Sequence, residues 1–448
     1  MIRKLSFAAP FLVAIFSVVS LYAANAARLD PISILLPAVL GLVIAGLFLL
    51  LFWLLKWTSP AAPFIASVWT GVFLYWYIAP WPLDLFILAG ATFVGIGSKR
   101  FTTPAAVLVC GITIIGSLIT GIQAGVIDAG KVEAAPTSAG PFLYKPGQSN
   151  IYFIVPDRMP SPAAMREIGI TPEPILDRFR KIGFYINEDQ VSADPYTVDW
   201  PNPVYTTRTM RYFASVLNGG APIPMDIKYQ DCRTMIRDNA AFTWLHGKGY
   251  SIVNIPSWFT ETKDFTDQDQ AFPFQDVNLM EKFFNDELGE AYFSRTLLNG
   301  LNFRALESFG SQRRTETARL KWQAARILDV ANAGPSSTFV IAHLMLPHEP
   351  FIFANPADPV PVQYNANIRT ALLYLDELAG AIRSADPTAT IIIQSDEGMA
   401  FHKPADLNRS LTKVQWSGVF NAWFLPNSTI SLEEITHTNI LGVVVNSK

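Results

Sequence analysis

Charge is almost missing from one end of this chain. Residues 5 to 124 hold a handful of charged side chains, and most of the rest lie beyond residue 140. The whole chain of 448 residues is only 16% charged and 50% hydrophobic, where about a quarter charged is usual for a soluble protein. A segment so poor in charge has few options: it spans a membrane or it is swallowed by a very large core. Five stretches have the length and character of membrane spans, at 5–24, 32–55, 63–78, 83–97 and 104–124. A bilayer core of about 30 Å asks for roughly 17 to 25 apolar helical residues. The fourth stretch is short, follows Trp81-Pro82, and also suits a re-entrant segment. The first has a basic start (Arg3, Lys4) and an alanine-rich end, so a cleaved signal peptide is its alternative reading.

Orientation follows from the basic residues, which tend to stay cytoplasmic. With the N-terminus inside, Arg3, Lys4, Lys56, Lys99 and Arg100 all fall inside, and Arg28 falls outside. Five spans then carry everything after residue 125 to the outer face. Trp57, Tyr75, Trp76, Tyr77 and Trp81 lie near span ends, as an aromatic belt does. Asp30 and Asp84 sit at span edges rather than deep within them, so the bundle reads as an anchor that can hold a lipid, not an ion path. This divides the chain into a transmembrane helical domain (1–124), a Gly/Pro/Ala/Ser-rich linker (125–148) and an extracytoplasmic domain (149–448).

The formal net charge of -3 and the lack of a basic run speak against nucleic acid as a partner. The two cysteines, Cys110 in an apolar span and Cys232 beyond it, predict neither a disulfide framework nor a cysteine metal site.

In the extracytoplasmic part the segments 150–156 (NIYFIVP), 338–343 (TFVIAH) and 388–394 (TATIIIQ) are continuous apolar runs rich in β-branched residues. Such runs suit central parallel strands covered on both faces. Segments 250–255 and 419–425 are further strand candidates, and helical patterns lie between, at 311–333 and around Ile368–Ile382. The alternation predicts a doubly wound α/β domain, whose sites form at the carboxyl ends of strands. That rule selects Asp157, Asp396, Glu397, His343 and His348. Within this set His343 reads as a buried, hydrogen-bonded core histidine. A helix beginning near Thr209 and stopping at Asn218-Gly219-Gly220 places a hydroxyl at a positive helix end, which suits an anionic group; a plain capping threonine is the other reading.

These motifs resemble the alkaline phosphatase/sulfatase superfamily, and within it the membrane-anchored sulfatase-like transferases, such as lipoteichoic acid synthases and phosphoethanolamine transferases. NIYFIVPDR resembles the family strand that ends in an acidic metal ligand, at Asp157. Counting back ten residues from Gly219 gives Thr209 as the implied nucleophile and metal ligand. HLMLPHEPF resembles the His-x-Pro-Phe signature, with His348 on the substrate phosphate. IIIQSDEG resembles the Ser-Asp-His-Gly metal motif, at Asp396 and Glu397, and VFNAWFLP resembles a late family strand. The sulfatase subtype fits poorly, because position 209 is Thr and position 211 is Arg rather than Pro.

Two positions depart from the pattern. Glu397 stands where the family has histidine, and Arg158 follows the acidic ligand. Asp157, Thr209, Asp396 and Glu397 would make an all-oxygen site, which favours Mg²⁺, Mn²⁺ or Ca²⁺ over zinc. Arg158 would either hold a phosphate or neutralise the carboxylates and replace the metal. His402 is a candidate for reaching back to replace the absent histidine and, with Arg158 and His348, for contacting substrate. Arg208 and Arg211 flank the nucleophile, with solvated surface as their default. The resemblance implies one divalent ion (Mn, Mg or Zn, with Ca also suited), a lipid donor and an envelope glycan or lipid acceptor. Transfer of a phospho-alcohol group through a phospho-threonine is the expected reaction. A sulfatase or phosphodiesterase hydrolase, and an inactive relative serving as a scaffold in envelope polysaccharide assembly, are the alternatives. Loops 158–205 and 256–305 are where acceptor specificity is expected.

Overall fold

The computed structural model describes residues 7–25, 34–54, 61–74, 149–192, 207–224, 226–272, 274, 311–355, 357–401, 410–426 and 435–446. The chain falls into two compact units. The first holds three apolar helices, α1 (Ala9–Asn25), α2 (Leu35–Leu54) and α3 (Ala61–Leu74). Small side chains let them pack closely: Ala14, Ala45 and Ala66 are fully buried. Trp69 of α3 closes the bundle edge-on against Phe48 and Phe52 of α2. Ser17 and Ser67 return their hydroxyls to the carbonyls of Ala14 and Pro63, so neither leaves a bare donor among apolar neighbours. The outward face of α2 is apolar too: Leu35, Val39, Val43, Leu47, Leu50 and Leu54 are exposed at helical spacing. Among the described residues one helical stretch, Pro37–Leu54, is long and apolar enough to cross a membrane, and Ala9–Val19 is a shorter apolar one. The three helices coincide with the first three expected spans. The fourth and fifth, the linker 125–148 and Cys110 lie outside the described residues.

The second unit is built on a seven-stranded sheet. Its strands are β1 (Ile151–Pro156), β2 (Tyr185–Asn187), β3 (Ser251–Ile255), β4 (Gln270–Ala271), β5 (Thr338–Leu344), β6 (Thr390–Gln394) and β7 (Asn421–Phe424), in the order β2-β7-β6-β1-β5-β3-β4. Strands β6, β1, β5, β3 and β4 run parallel, while β7 is antiparallel to both β6 and β2. The five expected strands are present, with ends within a residue or two of the sequence reading. The sheet is mixed rather than purely parallel because β7 runs against both β6 and the edge strand β2.

The apolar runs explain why β1 is central. Tyr152 and Ile154 face one core, and Ile151, Phe153 and Val155 face the other. A strand apolar on both faces must be covered on both. The first cover comprises α4 (Pro162–Glu167), α5 (Glu173–Lys181), α9 (Ser311–Asn332) and α10 (Val360–Ala385). The second comprises α6 (Arg208–Val216), α7 (Tyr229–Arg237), α8 (Ala240–Gly247) and α12 (Ile440–Asn446). A further short helix, α11 (Lys413–Ser417), starts from a capping box between Thr412 and Gln415. Each buried Phe, Ile or Leu here contributes about 1.5–3 kcal/mol of burial.

The helix expected to begin near Thr209 begins two residues earlier in its cap. Thr207 has extended backbone and its side chain accepts from Met210 N, which makes it the N-cap. Thr209 is therefore inside the first turn, with its hydroxyl released for another partner. The helix stops as read: Gly219 and Gly220 have φ of +70° and +86°, and a Cβ on Gly220 would meet Asn439 Cα at 3.2 Å.

Candidate active site

Three strands deliver acidic and imidazole groups to one place. Asp157 follows β1, His343 is the penultimate residue of β5, and Asp396 follows β6. These strands are neighbours in the sheet, so their carboxyl ends converge. One ligand-type atom from each of Asp157, His343 and Asp396 lies within 4.8 Å of the others, and all three residues are buried. The first turn of α6 closes the group: Thr209 Oγ1 donates to Asp396 Oδ2 at 2.6 Å.

The trio is short of partners. Asp157 Oδ1 and His343 Nε2 are buried and neither has a hydrogen bond. His343 Nε2 stands 3.3 Å from Asp157 Oδ2. Burial pushes Asp157 and Asp396 up, to about 8, with the neighbouring carboxylates adding to it; Arg158 opposes the shift at Asp157, and His343 and the Thr209 hydrogen bond oppose it at Asp396. Burial also pushes His343 down, to about 4, against the pull of Asp396 and Glu261, so the imidazole is neutral at pH 7. Two hydroxyls meet Nδ1, Thr262 Oγ1 at 3.1 Å and Ser257 Oγ at 3.4 Å, while Nε2 has no hydrogen bond. With Nδ1 protonated toward Thr262, Nε2 offers a lone pair to an ion.

A buried carboxyl oxygen of Asp157 and the Nε2 of His343, neither with a hydrogen bond, beside the second buried carboxyl of Asp396, suit a divalent ion. The residues present fit such an ion. The donor set differs from the expected all-oxygen one, because His343 brings nitrogen to it and so admits zinc alongside manganese and magnesium. His343 was not selected as a ligand by sequence. Its signal was its place at the end of a central strand. The reading as a buried core histidine describes its surroundings, since Phe213 and Phe259 pack edge-on against its ring.

Glu397 is close by but differently engaged. Arg158 Nε donates to Glu397 Oε1 at 2.7 Å, and Arg208 Nε lies 3.5 Å from Oε2. Arg158 also reaches toward Asp157, with Nε 3.8 Å from Oδ1. Its backbone is held as firmly: the N–H donates to Asp396 Oδ1 at 3.0 Å, the carbonyl accepts from Tyr364 Oη, and φ is +61°. Arg208 is not solvated surface. It is buried, donates Nη2 to Trp416 O at 2.8 Å, and lies 4.3 Å over the Trp416 ring. Arg211 is likewise buried and donates to the carbonyls of Ile223 and Pro224. The Gly398 backbone explains the last position of SDEG, since a Cβ there would meet Trp416 O at 2.3 Å. His348 is buried, pairs Nδ1 with Glu349 O, and packs against Trp258 with ring centroids 5.5 Å apart. His402 lies outside the described residues.

A second group of residues braces the Asp396 loop. Ser395 Oγ accepts from Met159 N at 2.8 Å and donates to Glu397 O at 2.9 Å, while Ser395 O pairs with His437 Nε2 at 2.8 Å. His437 stacks on Tyr212, whose hydroxyl donates to Gln394 Oε1 at 2.7 Å. Neither His437 nor Thr262 was singled out from sequence, and nothing local in the sequence marks them.

The fold and site define a mixed α/β domain with buried carboxyl and imidazole groups at its strand ends and a hydroxyl in the first turn of a helix. No protein-family model matches the chain, and no curated protein matches it. Several solved structures are similar to it. The lipooligosaccharide phosphoethanolamine transferase A of Neisseria meningitidis, an integral membrane protein, aligns at 12% identity over 94% of this chain and 82% of its own, with a TM-score of 0.36. The periplasmic domain of the phosphoethanolamine transferase EptC of Campylobacter jejuni aligns at 9% identity over 63% and 80%, with a TM-score of 0.36. An alkaline phosphatase superfamily protein of Vibrio parahaemolyticus aligns at 13% identity over 64% and 65%, with a TM-score of 0.36. These likenesses are distant, and the chemistry of the pocket stands on its own residues.

Proposed function

We propose that the chain is a membrane-anchored, metal-dependent transferase of the sulfatase-like type. It moves a phospho-alcohol group, of phosphoethanolamine or phosphoglycerol kind, from a lipid donor to an envelope glycan or lipid acceptor. The observation that carries this reading is the Thr209 hydroxyl, 2.6 Å from Oδ2 of Asp396, whose buried cluster with Asp157 and His343 leaves Asp157 Oδ1 and His343 Nε2 without a hydrogen bond. In this reading residues 1–124 form five spans, 125–148 the linker, and 149–448 an extracytoplasmic domain on the plasma membrane. Anchoring supports a lipid donor, because the pocket then works beside the leaflet that supplies it.

Asp157, His343 and Asp396 would hold one divalent ion, joined by the Thr209 oxygen. When bound, such an ion lowers the pKa of the threonine hydroxyl and offsets charge on the phosphoryl oxygens. Thr209 Oγ1 attacks phosphorus of the donor phosphodiester, and its proton leaves along the hydrogen bond to Asp396. The bond from phosphorus to the diacylglycerol oxygen breaks, and that oxygen takes up a proton, with His348 as the candidate acid. An acceptor hydroxyl then attacks the phospho-threonine ester and returns the Thr209 oxygen. The positive end of the α6 helix dipole favours negative charge where Thr209 sits.

The test is incubation of the full-length protein with fluorescent phosphatidylethanolamine and phosphatidylglycerol, followed by peptide mass spectrometry. A phospho-alcohol adduct on Thr209 and release of diacylglycerol are expected. Absence of both with every divalent ion supplied would sink the transferase. One observation favours a second reading, a non-catalytic scaffold: the Arg158–Glu397 pair already places a cation beside Asp157. A scaffold binds its envelope partner equally well with Thr209→Ala and without any divalent ion.

A further inference from the structure

Glu397 occupies the position where the sequence motif calls for a metal ligand, yet both its oxygens face arginines. Arg158 Nε donates to Oε1 at 2.7 Å, and Arg208 Nε is 3.5 Å from Oε2. All three side chains are buried, with 7%, 7% and 5% exposure for Arg158, Arg208 and Glu397. A buried carboxylate gripped from both sides loses much if one partner is removed. Arg158 is fixed at its backbone through Asp396 Oδ1 and Tyr364 Oη, and its guanidinium has a further acceptor in Ala400 O, 3.4 Å from Nη1. It stands 3.8 Å from Asp157 Oδ1, an edge of the ligand trio. A second divalent ion on that side would sit against a fixed positive charge.

We infer that this pocket is a one-ion centre in which Glu397 is a positioning residue, not a ligand. It anchors Arg158, with Arg208 as a brace, as the built-in cation beside the ion that Asp157, His343 and Asp396 would hold. The inference rests on the metal-dependent reading of the same pocket. Deleting Arg158 leaves Glu397 and Asp157 as uncompensated neighbours and tightens divalent binding. Deleting the Glu397 charge alone leaves the Gln amide oxygen able to accept from Arg158, so the ion stays.

The experiment is calorimetric titration of Mn²⁺ and of Zn²⁺ into the full-length protein in detergent. It compares wild type, Asp157→Ala, Glu397→Gln, Arg158→Gln and the Arg158→Gln/Glu397→Gln double variant. One equivalent in the wild type is expected, lost in Asp157→Ala. Glu397→Gln keeps one equivalent, Arg158→Gln binds it about tenfold tighter or more, and the double variant returns close to wild type. The double variant removes both charges together, so it decides the matter if a single variant does not fold. Two equivalents in the wild type overturn the inference. So does loss of the ion in Glu397→Gln with no recovery in the double variant. A wild type that takes no ion overturns the metal-dependent reading itself, which is a different result from a wild-type ion that depends on Glu397.

Discussion

Asn150 and Asp157 stand at opposite ends of the same strand, and their surroundings could hardly differ more. Asn150 is fully buried and each of its polar atoms is bonded. Nδ2 donates to Gly334 O at 2.9 Å and to Asp386 Oδ2 at 2.8 Å. Oδ1 accepts from Ser336 N, Ser336 Oγ and Thr338 N, all at 3.0 Å. Asp157 is buried as deeply, but its Oδ1 has no hydrogen bond and its neighbour across the sheet, His343, has a bare Nε2. The amino ends of the strands are finished by the protein. The carboxyl ends are left for something else to finish. A buried polar group without a partner costs about 1–3 kcal/mol, and such a cost persists where it serves binding or chemistry.

The comparison is broken most severely at the reacting hydroxyl. Thr209→Ala is expected to lower transfer from the lipid donor by about 10³-fold or more, while divalent-ion binding by Asp157, His343 and Asp396 persists. Retention of the rate would remove Thr209 from the chemistry. The finished end is tested next. Asn150→Ala strips partners from several buried groups and should cost about 3 kcal/mol of stability, read by denaturant unfolding, with kcat unchanged in the folded fraction. A larger effect on kcat than on stability would mean the two ends are not separate in role.

The unfinished end should give the opposite sign. Asp157→Asn removes a buried carboxyl whose ionisation nothing nearby fully offsets. The metal-free protein is expected to gain about 1 kcal/mol and to lose divalent-ion binding. A loss of stability without metal would show that Asp157 is structural in the way Asn150 is.

The central strands, and part of the second end, were legible in the sequence, while the Asn150 network was not. The central strands announced themselves because Ile151–Pro156, Thr338–Leu344 and Thr390–Gln394 are apolar on both faces, a pattern only a doubly covered sheet satisfies. β2 and β4, of three and two residues, carry no such pattern; they form because neighbouring strands offer them an edge. Asp157, Thr209 and Asp396 could be picked out because strand ends and motif spacing are local properties. The pairing of Arg158 with Glu397 joins residues 239 apart, and His343 Nδ1 meets Thr262 Oγ1 from 81 residues away. No local pattern encodes either. Glu397 therefore read as a ligand by its place in SDEG, while His343 read as core by its apolar neighbours.

The smallest effect separates the two ends by pH. Burial holds the Asp157 and Asp396 carboxyls near 8 in the metal-free fold, against about 4 in the unfolded chain. Between those values the folded protein keeps protons that the unfolded chain releases. Stability from this source is complete below about pH 4 and is lost as pH rises through about 8. The ion acts in the other direction, because it binds only the deprotonated carboxyls, so its stabilisation grows over the same window. Melting of the chelator-treated protein should fall by a few degrees between pH 6 and pH 8.5, and excess Mn²⁺ or Zn²⁺ should cancel or reverse that fall. Asp157→Asn should flatten the metal-free slope, while Asn150→Ala, at the other end of the strand from both carboxyls, should lower the curve and leave that slope between pH 6 and pH 8.5 in place. A metal-free slope that Asp157→Asn leaves untouched would place the titrating groups elsewhere and remove the electrostatic distinction between the two ends.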